Sequence, residues 1–156
     1  MAKIKYPEKF TEADFETMGW HDNYIHAINF EPETYSFSLD IDYIHQWIMD
    51  DGDNNFRFAI SPARITFNNI SNLKLDVDFS GCLPEMSIDR IEMNNQRPTA
   101  NKKLPEYDFL IVLNWPENGG GFSFSATGFV QRSLAPAAFY EEQKIPAGER
   151  AKLLKM

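Results

Sequence analysis

The chain has 156 residues, 43% of them hydrophobic and 14% aromatic, with a net charge of −8. That length suits one domain, and a chain of this size buries about 70% of its unfolded surface, so it needs neither metal nor disulfide to fold. The acidic balance excludes non-specific nucleic-acid binding. Cys82, the single cysteine, excludes an internal disulfide and fits a reducing cytoplasm, and no stretch approaches the ~20 apolar residues of a membrane helix.

Residues 1–9 form a basic arm without the apolar run of a signal peptide. Thr11 reads as a helix N-cap, with Asp14 in the place of the capping-box Glu and Phe10 and Phe15 at the two positions of a hydrophobic staple. A short helix over 11–18 follows, with Gly19 as its left-handed cap. Residues 24–30 are apolar on both faces. Tyr35, Phe37, Leu39, Ile41 and Tyr43 then alternate with Ser36, Ser38, Asp40 and Asp42, which predicts a strand with one dry and one wet face. Residues 44–49 read as a helical turn or a strand end, and 50–55 as a polar hairpin loop.

Phe56, Phe58 and Ile60 begin a strand that Pro62 should stop, and Ile65 and Phe67 begin the next. Leu73, Leu75, Val77 and Phe79 alternate with Lys74, Asp76 and Asp78. Met86 to Met93 is a strand with a bulge, 94–105 a long polar loop, and Tyr107 to Trp115 a central strand. Glu117-Asn118-Gly119-Gly120-Gly121 is a hairpin turn into the strand of Phe122, Phe124 and Ala126. Pro136 opens a short helix through Phe139 to Gln143, and residues 144–156 are a basic tail. About eight strands at intervals of roughly ten residues predict a mainly antiparallel single domain over 1–156. The expected architecture is a β-sandwich or a partly open barrel with short terminal helices.

The charge is unevenly placed. Eleven acidic and three basic side chains lie between Glu31 and Asp89, so this segment carries the whole −8, and the remaining twelve acids and twelve bases cancel. Asp40 and Asp42 share a strand face, and Asp76 and Asp78 repeat the arrangement. Were the two strands neighbours, these four would form an acidic patch, and they are the expected anchors of a protein partner. Calcium or acid–base chemistry at such pairs needs neighbours that the sequence does not announce.

All three histidines lie between positions 21 and 45. On a regular strand His21 and His26 point to opposite faces, so a shared metal would need a bulge between them. Trp20, His21, Asp22 and His26 are read first as an anchor of the opening strand and second as a site. The 50–55 loop fails the calcium-loop pattern, the glycine run lacks a phosphate-loop lysine, and Ser61 and Ser87 lie in no nucleophile elbow. No metal, cofactor or catalytic set is expected. The aromatics leave a small-molecule-binding barrel open as an alternative, and His21, Asp22 and His26 a metal-dependent enzyme.

Trp20-His21-Asp22-Asn23-Tyr24-Ile25 resembles the segment that opens the first strand in a set of small bacterial proteins. Residues 35–43, Ser61 to Phe67 and Ala126 to Phe129 add to the likeness, which spans 18–131. Some of those proteins resemble immunity proteins of polymorphic-toxin systems. The resemblance carries no catalytic motif. It implies a non-enzymatic cytoplasmic protein that works by binding a partner.

Overall fold

The computed structural model describes residues 5–49, 52, 56–117 and 120–155. Among these, ten antiparallel strands form a single sheet: β1 (Lys9–Thr11), β2 (Tyr24–Glu31), β3 (Ser36–Met49), β4 (Phe56–Asn68), β5 (Ser71–Val77), β6 (Met86–Pro98), β7 (Pro105–Trp115), β8 (Gly120–Ala126), β9 (Gly128–Ser133) and β10 (Ala138–Tyr140). One helix, α1 (Ala147–Leu154), follows. The strand order is β1-β9-β4-β3-β2-β6-β7-β8-β5, and β10 runs along the first part of β4. The sheet is not closed: β1 and β5 end the order.

The sheet curls so that its two ends face each other. Phe67 of β4 lies 5.1 Å from Phe109 of β7 and 4.7 Å from Phe124 of β8, measured between ring centroids, and Phe109 lies 6.2 Å from Phe129 of β9. These rings, with Phe37, Leu39, Ile41 and Ile65, are almost wholly buried. The inner row Phe37-Leu39-Ile41-Tyr43 is the dry face that the alternation of β3 predicts.

The start of the chain keeps its predicted cap but winds more tightly. Thr11 caps a 3-10 helix over Glu12–Thr17, and the reciprocal bond from the Thr11 N–H to Asp14 is 2.8 Å. The cap at its far end is Met18 in an extended conformation rather than Gly19. Pro62 does not divide β4. It sits where β9 has ended at Ala63 and β10 begins at Ile60, so no edge partner needs the N–H that proline lacks.

Two further expectations are corrected. The long loop over 94–105 is shorter than expected: β6 runs to Pro98 and β7 starts at Pro105, with Arg97 reaching Glu106 at 3.2 Å and Asp108 at 3.0 Å across the hairpin. The helix expected after Pro136 is the strand β10, because β4 offers an open edge there that takes up its backbone groups. Helix forms later, in the basic tail. The turns over 50–55 and 117–121 fall largely outside the described residues. Gly120 has φ +115, and a Cβ there would collide with the Asp76 carbonyl, so the chain can enter β8 there only as glycine.

Candidate functional site

The outer face of β3 separates the two aspartates that the sequence pairs. Asp40, Asp42 and Ile44 point outward, opposite Arg64, Pro62 and Ile60 of β4. Asp40 lies near solvent and takes a two-pronged ion pair from Arg64, at 2.6 and 3.1 Å. Asp42 has no exposed surface. The C-terminal segment covers it: Ile145 donates its backbone N–H to Oδ2 at 3.0 Å, and Arg150, itself buried, donates Nε–H to Oδ1 at 2.9 Å.

His26 completes this cluster. The bulge between Ile25 and Ala27 turns its ring onto the outer face, and Nε2 lies 2.8 Å from Asp42 Oδ2. Burial alone would raise the Asp42 carboxyl. The bonds from His26 and Arg150, with the Ile145 amide, outweigh it and hold the carboxyl below its usual range. Asp42 is therefore a carboxylate, and His26 Nε2 donates to it. Beside the pair, Ile44, Phe58 and Ile60 form a second small core with Ile145, against which Tyr140 and Leu153 pack. Together these contacts fasten residues 140–153 to the sheet.

The four aspartates expected on one surface are not brought together. β3 and β5 lie at separate places in the strand order, with β2, β6, β7 and β8 between them. Asp42 is sealed inside, Asp40 is matched by Arg64, and only Asp76 and Asp78 stay exposed on or beside β5. Alternation says which residues share a face, not what lies over it.

The Trp20-His21-Asp22 segment is a junction. Trp20 is buried and donates its indole N–H to Gln131 at 3.0 Å. Asp22, at φ +63, donates its N–H to the Ile88 carbonyl at 2.7 Å, and its carboxylate accepts from Asn114 at 2.5 Å and from Gln143 at 2.9 Å. His21 lies on the solvent side of this junction, 58% exposed, between Asp22 and Asp89. It does not share a site with His26. Among the described residues no three His, Cys, Asp or Glu side chains are grouped to hold a metal.

A third constellation is a hydrogen-bonded chain that sequence reasoning missed. His45 Nε2 lies 2.7 Å from Ser61 Oγ, which lies 3.1 Å from Ser133 Oγ. Burial lowers the His45 pKa to about 4, so the ring is neutral at pH 7. Ser61 has no exposed surface, and Tyr6 and Tyr43 pack on the ring, both at 4.9 Å. With its hydroxyl closed off from any substrate, this Ser–His pair ties β3, β4 and β9 together.

The far end of the β3–β4 hairpin is open to solvent. Trp47, Met49 and Phe56 are 42%, 60% and 43% exposed and lie on one face, through the pairs Trp47–Phe58 and Met49–Phe56. Trp47 is held edge-on by Phe58 at 5.2 Å and by Phe56 at 6.1 Å, and it stacks on the exposed His21 at 6.1 Å. The alternation of large apolar residues to either side of the 50–55 loop was visible in the sequence; their exposure was not. A cleft of about 280 Å³ beside His21 is lined by Phe15, Met18, Trp20, Asp89 and Ile91, and an open one of about 480 Å³ lies by Arg97, Lys102 and Lys103. The space between the sheet's two ends is filled by phenylalanine rings rather than left open for a ligand. Comparison with protein-family models, with curated proteins and with solved structures finds no match for the chain.

Proposed function

We propose that the protein is a non-enzymatic interaction protein, and that it binds a basic protein partner through the apolar end of the β3–β4 hairpin. The carrying observation is the exposed Trp47, Met49 and Phe56 on one face. Scattered apolar residues are ordinary on a surface, but adjoining large ones mark a binding patch. Trp, Phe and Met are the residues enriched in interface cores. Trp47 is braced by Phe56 and Phe58, so little side-chain freedom would be lost on binding.

The chain between Met49 and Phe56 carries Asp50, Asp51 and Asp53. The sequence joining the two strands is thus acidic, and complementary charge speeds the approach of a basic partner and selects for it. This replaces the surface of four aspartates with one built on the hairpin end. Neutralisation of a toxin in the cytoplasm, as in the immunity proteins that the Trp20–Asp22 segment resembles, is the role such a surface would serve.

The test is co-expression with the product of the adjacent gene, followed by binding measurements on the purified pair. Protection of the cell, and a Kd about 30-fold weaker for Trp47→Ala, are expected. The association rate should fall as salt rises. A partner that binds Trp47→Ala and Phe56→Ala as tightly as wild type would remove the hairpin end from the mechanism. An association rate indifferent to salt would remove charge complementarity from the mechanism.

A further inference from the structure

Strand β5 ends the sheet. It pairs with β8 regularly from Lys74 to Val77, after a register shift between Ser71 and Lys74, and among the described residues no strand lies on its other edge. An open edge presents unpaired backbone groups to any strand that fits. The side chains of β5 alternate in two rows. Leu73 and Val77 are half-buried against the core, and Leu75 between them is 45% exposed. Lys74 and Asp76 point the other way, both exposed, and neither takes part in an ion pair among the described residues.

We propose that β5 is a self-association edge, pairing antiparallel with β5 of a second copy of the chain. A two-fold axis normal to the sheet must pass through one residue, which then faces itself. Centred on Leu75, it sets Lys74 of each copy opposite Asp76 of the other, giving two ion pairs. On the inner side Leu75 meets Leu75, and Leu73 of each copy meets Val77 of the other. Directly opposed residues lie about 5 Å apart at Cβ, within reach of such pairs. Shifted to Lys74 the axis opposes two lysines, and shifted to Asp76 it opposes two aspartates. Charge therefore disfavours both registers adjoining the Leu75-centred one, and only the Leu75-centred register sets Lys74 against Asp76.

A lysine on an edge strand ordinarily deters pairing. Here the antiparallel mate of that position is an aspartate, so the residue that repels other strands admits this one. Five paired residues bury less than the ~1,200 Å² of a stable interface. The dimer is therefore weak, concentration-dependent and sensitive to salt. This surface is separate from the hairpin end of β3–β4, and the proposal does not depend on a partner binding there.

Sedimentation velocity of the full chain, from micromolar to near-millimolar concentration, tests it. Wild type is expected to dimerise, less so in molar salt. Lys74→Asp and Asp76→Lys each place like charges opposite one another, so each should weaken association by about tenfold or more. An equimolar mixture of the two restores complementary pairs and should dimerise as wild type does, as should the double variant carrying both changes. Both positions are exposed, and circular dichroism verifies that each variant is folded. Trp47→Ala should leave dimerisation unchanged. A wild type that stays monomeric, a dimer that survives in both single variants, or a mixture that stays monomeric overturns the proposal.

Discussion

Asp40 and Asp42 offer a controlled comparison, because they stand two residues apart on one strand and each is paired with an arginine. Arg150→Ala leaves the Asp42 carboxylate with no exposed surface and without its guanidinium. Breaking a buried pair from one side costs about 3–5 kcal/mol, and here the buried carboxylate keeps only the His26 and Ile145 bonds on its other oxygen. A domain of this size is stable by about 5–15 kcal/mol and shifts by about 2–4 °C per kcal/mol, so the melting temperature should fall by about 10 °C. Arg64→Ala removes the partner of Asp40, but that arginine is 45% exposed and water screens the pair. Its loss should cost at most about 1 kcal/mol. Thermal unfolding followed by circular dichroism, at neutral pH and moderate salt, reads both.

The pH dependence follows from the same carboxylate. The folded-state pKa of Asp42 lies below its ordinary value, so the unfolded chain binds more protons in that range. Its contribution to stability is present above the ordinary carboxylate pKa and is lost as pH falls through the lowered one. Arg150→Ala should flatten this acid limb. Equal, small losses in Arg150→Ala and Arg64→Ala would refute the reasoning, since burial would then make no difference to the worth of the pair.

His45 titrates in the opposite sense from a paired histidine. Its folded pKa of about 4 lies below the unfolded value of 6.5, so stability falls as pH drops from 6.5 toward 4. His45→Gln, which keeps a polar group near Ser61, should remove a loss on the order of 2 kcal/mol from that window, read by urea unfolding at pH 7 and pH 4.5. An unchanged pH slope would show that the ring is protonated in the fold. Phe67 touches rings from β3, β7, β8 and β9, so Phe67→Ala should cost about 3–5 kcal/mol and lower the urea midpoint. A loss under about 1 kcal/mol would mean that the two ends of the sheet are not held together by this cluster.

Local chemistry alone determined much of this fold. The alternation over 35–43 identifies the dry face of β3, because a pleated strand sends successive side chains to opposite sides. The Thr11–Asp14 capping box marks a helical start, because both partners lie within one turn. A mainly antiparallel sheet follows from the count and spacing of such segments. The spacing of Lys74 and Asp76 about Leu75 is likewise written in the chain, although only the strand order shows that the edge beside them is open.

The tertiary structure decided what covers each face. Asp40 and Asp42 are alike in sequence context, yet one meets water and the other is sealed by Ile145 and Arg150, more than one hundred residues later. Pro62 reads as a strand stop but continues β4, because the gap between β9 and β10 falls opposite it. Residues 138–140 read as helix but form strand, because β4 had an edge to fill. Phe56, Phe58 and Ile60 read alike as one strand, yet Phe56 and its neighbour Trp47 stay open while the C-terminal segment covers Phe58 and Ile60. In each case the deciding partner is remote in the chain, and the free energy of burying or exposing a side chain belongs to that contact rather than to the side chain alone.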